Sequence, residues 1–184
     1  PYSYSKVFTP IVDNHMILTY FDGDTPYFLD ATGRFTNITM PTSFIQGKEA
    51  LVSMGDTYKV VKVPEVDNST NRIEEAVEIT IDDQLKVNGK GTITFSGYEK
   101  SNMFDRLERL KSDDRKDDFY KAMLEKGNNN FLLNEYKERN TFDYEDPFHV
   151  DFDFTIANYV SSSSDKLFIT LNMSQDDVEA ISST

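Results

Sequence analysis

The sequence predicts an α+β fold: an antiparallel β-hairpin followed by an antiparallel β-sheet or sandwich domain with two helices. Three observations predict it. Apolar and polar residues alternate in "AVEITI" and in "FHVDFDFTI", apolar spacing turns helical between Met103 and Leu124, and Gly, Asp and Asn clusters punctuate the alternating runs.

Taken in order, residues 14 to 21 and 26 to 31 read as two strands around the turn Asp22-Gly23-Asp24-Thr25. Residues 33 to 56 show no sustained period and read as a connecting segment with a short element at most, so a domain boundary is placed inside it. From Tyr58 the runs "TYKVVKV", "AVEITI" and "LKVNGKGTITF" alternate, with Val77, Ile79 and Ile81 on one face. They read as half-buried strands of one sheet with a wet face. "NGKG" at 88 to 91 reads as a turn or bulge in a long hairpin; no helix start follows it, so it is no phosphate cradle.

Met103, Leu107 and Leu110, with Phe104 beside them, predict a helix over 98–111. Ser112 as N-cap, acids at 113 and 114, the stripe Phe119, Tyr120, Met123, Leu124, and Gly127 as a stop predict a second over 113–126. Strands resume at "FLLNEYKER" and "FHVDFDFTI". After the "SSSSD" loop, "KLFITLNM" reads as a last strand, and "SQDDVEAISST" as a short helix start or a frayed end. No internal repeat is evident. The division expected is 1–45 for the hairpin and connector and 46–184 for a β-rich accessory domain.

Composition bounds the function. At 184 residues with 14 Phe and 10 Tyr, the chain has the bulk for a core that buries about 70% of its unfolded-state surface. A formal charge of −13, with 32 acids against 19 bases, argues against nucleic acid and anionic membrane surfaces. No run approaches the roughly 18–20 apolar residues of a spanning helix. The chain begins at Pro1, which reads as the loss of an upstream segment. It has no cysteine, and therefore no disulfide, thiolate ligand or thiol nucleophile of its own. No cofactor is expected.

Chemistry centres on "DNHMILTYFDGDTPYFLDAT", residues 13 to 32. A loop of two or four residues sets Phe21 opposite Pro26 and Ile17 opposite Asp30. His15 and Asp30 are then diagonal neighbours on one face, with roughly 7–8 Å between backbone positions. A three-residue loop would set them on opposite faces. An imidazole beside a fixed carboxylate is held in one tautomer and its cation is stabilised, as a general base requires. Spacing alone leaves a surface ion pair and a catalytic pair both open.

"NHMIL", the hairpin and "YFLDATGRF" resemble the end of the transglutaminase-like, papain-related cysteine-enzyme domain, in which Asn-His opens one strand and Leu-Asp-Ala/Pro-Thr closes the next. The triad of that family runs Cys, His, Asp. The resemblance implies that His15 is the base, that Asp30 orients it, that the hairpin is a remnant of a transglutaminase-like core, and that the nucleophile lies upstream of Pro1. "MPTSFIQGKEALV" and the remainder resemble a trailing domain of unknown function found after this enzyme domain in multidomain bacterial proteins. The expectation is the C-terminal portion of a secreted or periplasmic cysteine acyltransferase or peptidase, inactive alone, whose partners are the rest of the parent protein and a peptide or protein substrate. The rival is a non-catalytic protein- or glycan-binding or assembly module.

His149, Asp151 and Asp153 share one strand face; a solvated sheet face is preferred there to a metal site. The acids at 113 to 118 and 143 to 146 lack calcium-loop spacing and read as solvated charges. Asn37-Ile-Thr, Asn68-Ser-Thr and Asn172-Met-Ser match glycosylation acceptors, which a bacterial source would leave idle.

Overall fold

The structure, a computed structural model, describes residues 3, 4, 6, 14–110, 113–170 and 173. The chain is of the α+β class, with two helices among mostly antiparallel sheets. It divides into two compact units: Pro1–Ile73 with Phe95–Arg106 and Phe142–Phe148, and Glu74–Thr94 with Leu107–Thr141 and His149–Thr184.

The first unit opens with β1 (Leu18–Asp22) and β2 (Thr25–Leu29), joined by the two-residue turn Gly23-Asp24. Leu18 pairs with Leu29 and Phe21 with Pro26, the register expected for a loop of that length. Alternation then sorts the hairpin's residues. Ile17 and Phe28 turn inward to Ile45 and Val63, with Ala50 and Val61 beside them. Met16, Leu18 and Tyr20 turn outward and are 95%, 65% and 53% exposed.

The connecting segment holds only short elements, a turn of 3₁₀ helix (Ser43–Ile45) and a strand, β3 (Glu49–Ser53), whose five residues "EALVS" are too few to announce a period. One expectation fails in this unit. β3 is the partner of β4 (Tyr58–Lys62), with Glu49 opposite Lys62, so the run from Tyr58 belongs to a separate two-stranded sheet rather than to the main one. The unit's other packing is aromatic. Phe35 and Phe104 meet edge-on at 5.9 Å, and Phe104 meets Phe148 at 5.3 Å. Lys100, 6% exposed, donates Nζ to the carbonyls of Asp143, Tyr144 and Asp146 at 3.1, 2.9 and 2.9 Å, which satisfies its buried charge.

The main sheet is built from β5 (Ile73–Ile81), β6 (Val87–Phe95), β7 (Phe131–Arg139) and β8 (Phe148–Ile156), in the order β5-β6-β8-β7. β8 carries the core. Val150, Phe152, Phe154 and Ile156 are 0%, 2%, 1% and 0% exposed, as the alternation of "FHVDFDFTI" requires. β5 is an edge strand with one neighbour, so Val77 and Ile81 remain 36% and 39% exposed rather than half-buried as expected.

"NGKG" is not a turn but the middle of β6. A Cβ on Gly89 would stand 2.2 Å from Phe154 Cζ and one on Gly91 2.5 Å from Phe152 Cζ. The two glycines are there because the rings of β8 lie across that strand. The chain reverses instead at Asp82–Lys86, where Asp82 Oδ1 accepts the amides of Gln84 and Lys86, both at 2.9 Å.

The helices are α1 (Gly97–Arg109) and α2 (Asp113–Leu124). α2 is fastened to β7: Tyr120 stacks on Tyr136 at 4.3 Å, and Glu138 Oε1 takes the Tyr120 hydroxyl and Lys116 Nζ, both at 2.6 Å. A last hairpin pairs β9 (Ser161–Ser163) with β10 (Lys166–Phe168). Ser112, Asn172 and the stretch 174–184 lie outside the described residues.

Candidate functional site

β1 and β2 bring His15 and Asp30 together just beyond their paired ends. Continuing the observed register by one step puts Ile17 opposite Asp30 and His15 diagonal to it, on the face that Ile17 and Phe28 turn inward. The side chains close the gap: His15 Nε2 lies 2.7 Å from Asp30 Oδ2. Within the pair, the carboxylate is 2% exposed and the imidazole 30%.

Asp30 is anchored on both oxygens. Oδ1 accepts the Thr32 amide at 3.0 Å and the Thr32 hydroxyl at 2.7 Å, an Asx turn closing "LDAT". Oδ2 accepts the Thr42 hydroxyl at 2.6 Å alongside His15. Burial by itself pushes the carboxyl group's pKa up. The hydrogen bonds from Thr42, Thr32 and His15 outweigh that and hold it well below the ordinary 3.8. Asp30 is therefore an anion across the working pH range.

An ionised carboxylate accepts and does not donate, so in the neutral imidazole the proton sits on Nε2. Nδ1 then keeps its lone pair, and no described residue bonds it. Phe44 stands edge-on to the ring, centroids 5.0 Å apart. The arrangement can take a proton at Nδ1 and stabilise the resulting cation at Nε2. It contains no thiol nucleophile, since the chain has no cysteine.

Sequence reasoning missed Thr32, Thr42, Phe44 and Gly33. Thr32 had a local signal, Asp followed two residues later by Thr. Thr42 and Phe44 had none, because a residue twelve positions along a connector reaches Asp30 only through tertiary packing. Gly33 makes room for Thr42: a Cβ there would stand 2.3 Å from Thr42 Cγ2 and 2.8 Å from Thr36 Oγ1. Gly33→Ala is expected to cost about 1 kcal/mol in urea unfolding, through displacement of Thr42.

The other candidates form no comparable site. His149 Nδ1 is 2.9 Å from the Thr94 hydroxyl, Asp151 takes Arg139 Nε at 2.7 Å and the Thr92 hydroxyl at 2.7 Å, and Asp153 pairs with Lys90 at 3.2 Å. These groups are engaged across the polar face of the sheet. Among the described residues no cluster of three His, Cys, Asp or Glu side chains is arranged to hold a metal ion, and no helix is long and apolar enough to cross a membrane. Asn37, the first glycosylation triplet, spends its amide on the Tyr144 carbonyl at 3.2 Å and on Glu145 Oε2 at 2.9 Å. Asn68 is exposed in a turn of 3₁₀ helix.

Comparison of the chain with protein families, curated proteins and solved structures found no match.

Proposed function

We propose that this chain is the C-terminal portion of a transglutaminase-like cysteine acyltransferase or peptidase of bacterial, secreted or periplasmic type. It supplies the base His15 and its orienter Asp30 to a thiol carried by another part of the parent protein. The observation that supports this reading is the 2.7 Å pair, with its carboxylate buried and Nδ1 of the imidazole without a hydrogen-bond partner among the described residues. In the reaction, His15 Nδ1 takes the thiol proton, the thiolate attacks an amide carbonyl, and the imidazolium returns the proton to the leaving amine. Water or a second amine then resolves the thioester. The substrate class is a peptide or protein amide.

The test uses the intact protein that contains these residues. A thiol paired with an imidazole is ionised at mildly acid pH, where an ordinary cysteine is not. Iodoacetamide at pH 6 is expected to alkylate one cysteine quickly, and His15→Ala to slow that reaction by at least about tenfold. No cysteine whose alkylation depends on His15 would overturn the proposal. A second reading, a protein-binding module without chemistry, is favoured by the outward Met16, Leu18 and Tyr20, 95%, 65% and 53% exposed. It predicts the same alkylation rate with and without His15.

A further inference from the structure

His15 and Asp30 are both contacted by a single short segment, Pro41-Thr42-Ser43-Phe44-Ile45. Thr42 Oγ1 donates to Asp30 Oδ2 at 2.6 Å, the same oxygen that takes the Nε2 proton of His15 at 2.7 Å. Two residues on, the Phe44 ring stands against the imidazole with an interplanar angle of 66°. The segment is fastened at both ends. Pro41 is buried and its carbonyl accepts the Tyr98 hydroxyl from α1. Ile45, 7% exposed, packs with Phe28 and Val63. Between the two anchors Ser43–Ile45 makes one turn of 3₁₀ helix, which directs Thr42 and Phe44 to the two members of the pair.

We propose that residues 41–45 are a brace for this site, with Thr42 the positioning residue of Asp30 and Phe44 that of His15. The proposal rests on the reading of the pair as a base and its orienter. The torsion that turns a carboxylate about its Cβ–Cγ bond has a broad, shallow profile, and so has the one that turns an imidazole. Thr32 pins Oδ1 from inside the same turn, and a carboxylate pinned at one oxygen can still swing the other away from Nε2. Thr42, arriving from a different part of the chain, pins Oδ2, and two points fix the plane. Phe44 does the corresponding work on the ring, where a half-turn would carry Nε2 off the carboxylate. The brace thus determines which nitrogen keeps the proton and which one faces a nucleophile. Thr42 is 5% exposed, so solvent has little access to the oxygen it holds.

The test needs no thiol and uses the full chain. Nitrogen-15 NMR of the neutral His15 imidazole reads the tautomer, and solvent exchange of the Nε2 proton reads how firmly it is held. The wild type is expected to show the Nε2–H form alone. In Thr42→Val, which keeps the side chain's shape, exchange should quicken by about tenfold and the Nδ1–H form should appear. Thr42→Ser should restore both readings, and Phe44→Ala should loosen the ring with the same signature. A purely structural role for the segment would lower stability and leave the tautomer alone. Wild-type exchange and a single tautomer in both Thr42→Val and Phe44→Ala would overturn the brace. If Thr42→Val does not fold, Tyr98→Phe frees the Pro41 carbonyl with Thr42 still in place and carries the same two outcomes. Failure of the alkylation test would refute the enzyme reading and leave this measurement standing; failure here would remove the brace and leave the alkylation result intact.

Discussion

Phe152→Ala is expected to lower the free energy of unfolding by about 3–5 kcal/mol in urea. The ring is 2% exposed, stacks on Phe154 with centroids 5.9 Å apart, and carries Lys126 Nζ 5.7 Å over its face. It also lies across Gly91, which has no side chain to move into the space that truncation would leave. The lost transfer energy and the residual cavity therefore add rather than offset each other. Lys126 makes the loss larger. It is 6% exposed and paired with the more exposed Glu75 at 2.6 Å, so a cavity beside it would disturb the packing of a buried ammonium as well as an apolar contact. A measured cost near zero would mean that the faces of β8 are reversed. The polar side chains of that strand would then be the buried ones, and the alternation would have been read in the wrong phase.

β8 was legible because nine residues of strict alternation leave one choice of inner face. The register of the first hairpin was legible only up to the length of its loop: once Gly23-Asp24 is the turn, every pair behind it is fixed and the His15–Asp30 contact follows as geometry. Where those conditions lapse, so does the reading. β3 has five residues, too few to show a period, so its pairing with β4 left no mark in the sequence. Gly89 and Gly91 look like a turn from sequence because nothing local reveals two phenyl rings on the next strand but one in the chain. The candidate site divides the same way. Asp30 and Thr32 are neighbours whose bond is written in their spacing, whereas Thr42 and Phe44 reach the pair only because Tyr98 and Ile45 hold the connector against it. Sequence periodicity reports what an element does with its own neighbours; the support of a site comes from elements that share no period.

Asp30→Ala is expected to cost about 2–4 kcal/mol at neutral pH, because it removes the acceptor of several charge-assisted bonds and strands the buried Thr42 hydroxyl. The pH dependence distinguishes this from a simple packing loss. Burial raises the carboxyl group's pKa, but the hydrogen bonds of Thr42, Thr32 and His15 lower it by more, so the folded value lies below the ordinary 3.8. A carboxyl group whose pKa is depressed by folding binds protons more readily in the unfolded chain. Its contribution to stability is complete above the unfolded value and drains away as pH falls from there through the folded one. The difference in unfolding free energy between wild type and Asp30→Ala should accordingly not fall between pH 7 and about pH 5 and should shrink steadily below about pH 4. Urea unfolding of both proteins at intervals from pH 7 to pH 3 measures it. A difference that stays constant into acid would mean that Asp30 contributes through shape and neutral hydrogen bonds alone. The anion inferred beside His15 would then be absent, and with it the electrostatic reason for calling this imidazole a base with an orienter.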